Sequence, residues 1–196
     1  MNKKNKNFIS NIFLSFLSIF LFFLIIEIYV RIIIDDGSNL NIEMLKYAKS
    51  LKIISDNKDV GLEHKKNIKK KLMGVHIHLN SQGFRNNIDI DNSKKKILML
   101  GDSMTLGWGS NETFSSNLEK SINKKIQVLN AGIGNTNSYM QINNFFENFK
   151  KYDFDLIILN FFINDFERVK INHANFIENN LYSFTYLKTK IIKILI

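Results

Sequence analysis

Three short segments carry groups suited to acyl transfer. The first, GDSMTLGWG (101–109), sets Ser103 in a glycine-flanked turn. A hydroxyl at a tight turn into a helix is exposed, and the unpaired backbone N–H groups around it suit a developing oxyanion. The second, NAGIGNTNS (130–138), holds Gly132, Gly134 and Asn135, which all tolerate positive φ and let a loop turn sharply. A backbone N–H from this loop is a candidate second oxyanion donor. The third, FINDF (162–166), offers the side-chain amide of Asn164 as a third donor. Asp102 and Asp165 flank these groups and can brace the loops. Singly, G-D-S, N-A-G and N-D are ordinary turn sequences; their order gives them meaning.

That order follows the elements that must position them. KKILML (95–100) is a short apolar run that reads as a buried strand, KIQVLN (125–130) reads as a second strand, and DLIILNFF (155–162), apolar from Leu156 on apart from Asn160, as a third. Phe114, Leu118 and Ile122 recur every four residues, so 114–125 reads as a helix with Thr113 as its N-cap. Tyr139, Ile142, Phe146 and Phe149 mark a second helix. Strand–helix–strand–helix–strand with short links implies a parallel sheet with right-handed crossovers. In such sheets sites form beyond the carboxyl ends of the strands, and each candidate segment follows one strand. Upstream, VHIHLN (75–80) alternates strictly and reads as a half-buried strand with His76 and His78 on its wet face. No third ligand accompanies those histidines, so no metal site and no cofactor is expected.

The N-terminal region has a different character. Residues 8–26 carry no charge and are dominated by Phe, Leu and Ile. At about 1.5 Å rise per residue they nearly cover a hydrocarbon core of roughly 30 Å. Apolar character resumes past Glu27 to Ile34, and Glu27 and Arg31 are spaced to pair on a helix. Small residues suited to signal cleavage are missing, so an uncleaved anchor is expected. Lys3, Lys4 and Lys6 would stay in the cytoplasm and the rest of the chain would lie outside it, in the cell envelope. The expected layout is a basic tail (1–7), a single-pass transmembrane anchor (8–34), a charged spacer with a short helix around 42–54 (35–74), and an α/β domain (75–196).

Composition adds exclusions. The chain has 196 residues, 45% of them hydrophobic, enough for one folded domain plus extras. It has no cysteine, which excludes disulfides, zinc–thiolate sites and a cysteine nucleophile. Lys+Arg 27 against Asp+Glu 18 gives a net charge of +9. The lysine runs at 65–71 and 94–96 contain no interleaved aromatic residue, so no nucleic-acid partner is expected. A flavodoxin-like phosphate binder is disfavoured too, since GDSMTLG lacks the Gly-Lys-Ser/Thr of a P-loop.

Across about residues 75–170 the sequence resembles the SGNH (GDSL-type) hydrolases. GDSMTLGWG resembles their first block, which makes Ser103 the nucleophile. NAGIGNTNS resembles the second, whose glycine donates a backbone N–H; counting from Asn130, that place falls on Asn135, with Gly134 one earlier. FFIND resembles the third, a Gly-x-Asn-Asp pattern matched at Asn164 and Asp165 but with Phe162 where the glycine stands. NSQGFRN (80–86) is similar to a segment upstream of the first block in membrane-anchored, polysaccharide-associated members. The resemblance implies a three-layer, flavodoxin-like parallel sheet. It also implies an ester hydrolase or O-acyl (acetyl) transferase acting on an O-acylated carbohydrate or small ester of the cell envelope.

One part of the pattern is missing. The family's general base is a histidine in an Asp-x-x-His block, and none of His64, His76, His78 or His173 has an aspartate three residues before it. His173 follows the third strand but lies too close to the third block for that role, and reads as a loop histidine. The apolar pattern over 181–196 runs to the last residue without a cap, and three parallel strands make a thin domain. The expectation is therefore an incomplete domain lacking its final sheet segment. The alternatives are a complete chain whose last helix closes a sheet face or lies on the membrane, and a non-catalytic SGNH-like module that binds a glycan or protein.

Overall fold

The structure is a computed structural model and describes residues 3–122, 125–169, 171 and 176–195. Two compact units emerge, one of residues 1–42 with 174–196 and one of residues 43–173.

The first unit is built on α1 (Lys3–Tyr29), which runs into a π-helical turn, Val30–Ile34. Residues 7–34 form one helical stretch long and apolar enough to cross a membrane, and its most apolar 18-residue window has no residue buried within the protein. The spaced charges expected to pair do so, with Arg31 Nε 2.7 Å from Glu27 Oε1. Glu27 also accepts the backbone N–H groups of Tyr182 (3.0 Å) and Ser183 (2.9 Å), at the start of a C-terminal helix, Tyr182–Leu195. One carboxylate thus satisfies two donors that a helix N-terminus leaves open.

The second unit is mixed α/β. In chain order it contains α2 (Leu40–Leu51), which begins just before it, and two antiparallel ribbons. β1 (Lys52–Ile54) pairs with β2 (Leu62–His64), and β3 (Ile68–Leu72) pairs with β4 (Val75–Leu79). A three-stranded parallel sheet follows: β5 (Lys95–Gly101), β6 (Ile126–Gly132) and β7 (Leu156–Leu159), in the order β6-β5-β7. Between the strands lie α3 (Ser103–Leu106), α4 (Phe114–Ser121) and α5 (Ser138–Asn144), the last extended by a π turn, Phe145–Phe149. Thr113 caps α4 by accepting from Ser116 N. The helix ends at Ile122, whose backbone is extended, short of the expected 125.

The expected spacer is largely folded. Residues 43–74 belong to the α/β unit, because Tyr47, Leu51 and Leu72 pack with Val75, Ile77, Leu79 and Leu106 in one buried cluster. The charged run at 65–71 hid this, since β3 turns its lysines outward. A second cluster joins Phe84, Leu98, Leu100, Leu129, Ala131 and Phe149 across β5 and β6. β7, apolar throughout, is one of the sheet's two edge strands, with Leu156 50% and Ile157 41% exposed.

Register aligns the strand ends. Gly101 of β5 faces Gly132 of β6, and Leu100 faces Leu159 of β7, so the three following loops leave from one edge.

Candidate functional site

The first loop is held by close packing. A Cβ on Gly132 would fall against Leu106 N and 2.7 Å from the carbonyl carbon of Thr105, so α3 sits directly on the end of β6. A Cβ on Gly101 would collide with the Thr105 hydroxyl. Asp102, 2% exposed, caps α3 by accepting from Met104 N at 2.8 Å. Gly107 (φ 77°) closes the same turn in the left-handed conformation. Ser103 is the first residue of α3 and half-buried; its hydroxyl and its N–H have no hydrogen-bond partner among the described residues.

The second and third loops meet the first. A Cβ on Gly134 would lie 3.5 Å from Ser103 Cβ. Asn164, exposed in a 3₁₀ turn (Ile163–Phe166), directs its Nδ2 to Asp102 Oδ2 at 3.5 Å, the long limit of a hydrogen bond. Asp165 is buried and ties its own loop down, accepting from Phe162 N (3.0 Å) and from Gln141 Nε2 (3.4 Å). Residues 103, 134 and 164 therefore gather at one end of the sheet. His173 lies outside the described residues.

Gly134 and Asn135 differ in what they can offer. The Gly134 N–H donates to Tyr47 Oη at 2.9 Å. Asn135 holds φ 62°, the left-handed conformation that glycine adopts most readily, and its N–H has no partner among the described residues. Two backbone donors thus stand open in these loops, the N–H groups of Ser103 and Asn135, and the Asn164 amide turns toward Asp102 beside Ser103.

A buried relay stands behind Gly134. His64 Nδ1 lies 3.1 Å from Gly83 O, and a carbonyl only accepts, so Nδ1 carries the proton. Nε2 is then bare and takes the Tyr47 hydroxyl proton at 2.7 Å, while Tyr47 Oη takes the Gly134 N–H. Burial lowers His64 to a pKa of about 3; the Gly83 bond opposes the shift and the charges of Lys52 and Arg85 add to it. Burial pushes the Tyr47 hydroxyl up. With both ring nitrogens engaged, His64 cannot serve Ser103. Lys52 closes the other side: its Nζ donates to Gly134 O at 3.1 Å, lies 4.7 Å from the centre of the Tyr47 ring, and is lowered by burial to about 8.

Arg85 braces the far end of α3. Its Nη1 donates to Leu106 O (2.7 Å) and Gly107 O (2.5 Å), and its Nη2 to Ser110 O (2.6 Å). Asn130 works on the other side, donating to Thr105 O at 2.7 Å and accepting from Gly132 N at 3.0 Å. Sequence reasoning did not single out Tyr47, Lys52 or Arg85 and set His64 aside. Arg85 stands in NSQGFRN, a usable signal; nothing in the pattern around Tyr47 or Lys52 tied them to residue 134.

Among the described residues no group of three or more His, Asp or Glu side chains is placed to hold a metal ion. No protein-family model matches the chain, and no curated protein matches it.

Proposed function

We propose that this chain is a membrane-anchored serine ester hydrolase or O-acyl transferase of the SGNH type, acting on an acylated cell-envelope glycan. In this reading its sheet is the core of a flavodoxin-like, three-layer domain. The α1 span holds that domain outside the cytoplasm. The observation that carries the reading is the approach of Gly134 and Asn164 to the Ser103–Asp102 turn.

In the reaction Ser103 Oγ attacks the ester carbonyl. The carbonyl oxygen becomes an oxyanion, received by the N–H groups of Ser103 and Asn135 and by Asn164 Nδ2. The alcohol leaves, and water or a sugar hydroxyl then releases the acyl group from Ser103. Asp102 turns the Asn164 amide toward the serine, and the Tyr47–His64 relay fixes the loop that presents Asn135. The base that takes the serine proton is a histidine other than His64, whose nitrogens are both occupied.

The test is fluorophosphonate labelling of the full chain in detergent, with p-nitrophenyl acetate turnover alongside. Labelling and turnover that vanish in Ser103→Ala support the reading. Equal rates in both proteins refute it. Phe162 at the glycine place and the capture of the Gly134 N–H by Tyr47 favour a second reading, a non-catalytic glycan- or protein-binding module; an unlabelled Ser103 selects it.

A further inference from the structure

A cleft separate from the Ser103 loops lies against the β3–β4 ribbon. It has a volume of about 340 Å³ and is lined by His76, His78, Arg85, Asn86, Asn87 and Glu119, among others. That volume falls within the range of small-ligand sites, about 300–1,000 Å³.

The charge of this cleft is unusual. Arg85 is 8% exposed, and its guanidinium meets only neutral carbonyls among the described residues. A buried cation without a carboxylate leaves a positive field that a cleft focuses. The ribbon adds to it. Lys71 pairs across the strands with His76 and Lys69 with His78, and directly opposed residues share a face. Two lysines therefore flank the wall that carries the two histidines. Among the described residues Glu119 is the one carboxylate lining the cleft, and it already accepts the Val128 N–H at 2.8 Å. Lys120, at the rim, is paired with Glu112. The amides of Asn86 and Asn87 supply the donors and acceptors that sugar hydroxyls need. Part of the Asn86 amide is spent on the backbone, with Nδ2 donating to Val128 O and Oδ1 accepting from Asn130 N.

We propose that the cleft bounded by the β3–β4 ribbon and Arg85 binds an acidic oligosaccharide, its carboxylate or phosphate held by the Lys69, Lys71, His76, His78 face. The acid group is argued from this cleft alone; the sugar rests on the proposed function. Ser103, Gly134 and Asn164 do not line the cleft, so the two readings fail separately.

The experiment is calorimetric binding to the full chain in lipid nanodiscs with four probes: trigalacturonate, a maltotriose phosphate, neutral maltotriose and a decauridylate. One of the two acidic sugars binds at least about tenfold tighter than maltotriose and tighter than the decauridylate, and the better one identifies the acid group. Its affinity falls about tenfold in Lys69→Ala/Lys71→Ala, whose side chains are exposed, and again as salt rises. Ser103→Ala binds it as the parent does. Equal binding of maltotriose, tighter binding of the decauridylate, unchanged affinity in the double-lysine variant, or no binding of the acidic sugars at about 10 mM overturns the proposal.

Discussion

Acid should loosen the α/β unit through His64. In the folded protein this imidazole resists protonation until a pKa of about 3, because burial disfavours the charged ring and the nearby charges of Lys52 and Arg85 oppose it further. An unfolded histidine takes its proton near pH 6.5. Between these values the unfolded chain binds one proton more, so stability falls as pH falls. From pH 7 to pH 5 the loss works out at about 2 kcal/mol for this residue. For a unit spanning residues 43–173 that is roughly a 6–10 °C drop in midpoint. Trp108 is the single tryptophan and its ring centre lies 5.1 Å from that of Tyr47, so its fluorescence reports on this cluster directly. The assay is a thermal melt of the full chain followed at Trp108 at both pH values, beside His64→Gln, whose amide can still bridge Tyr47 and Gly83 but does not titrate. The parent should lose more than the variant by the stated amount. Equal losses would refute the reasoning, as would an imidazole nitrogen resonance showing His64 doubly protonated at pH 5 in the folded protein.

Two substitutions test how the Ser103 turn is held. Gly132→Ala should destabilise by roughly 3 kcal/mol, since its methyl meets the backbone of Thr105 and Leu106 rather than a side chain that can yield; the urea midpoint reads it, and an unchanged midpoint rejects the close packing. Arg85→Met should cost about 2–4 kcal/mol, because three carbonyls at the end of α3 lose a charged donor. Arg85→Lys should recover only part of this, as an ammonium cannot span all three; full recovery would show that charge alone matters.

The parallel sheet was legible because its strands are continuous apolar runs separated by turn residues, and each candidate loop follows one of them. The N-terminal span was legible for a similar reason: charge is absent over 8–26 whatever the tertiary packing. The ribbons were not. In 65–72 a buried Leu72 and a partly buried Ile68 are diluted by outward lysines, so the period-two signal of β3 drowns in charge. Tyr47 was illegible for a different reason. Its role is set by a contact 87 positions away, and an aromatic on a helical stripe looks the same whether it fills a core or holds a loop amide. The choice between Gly134 and Asn135 turned on the same contact. By residue type Gly134 is the better loop donor, since glycine lets backbone approach a ligand. Tyr47 takes that N–H, and the left-handed backbone at Asn135 leaves the next one open. Donor identity in such a loop depends on which amide its neighbours have already used, and that is a property of packing, which residue types near Ser103 do not encode.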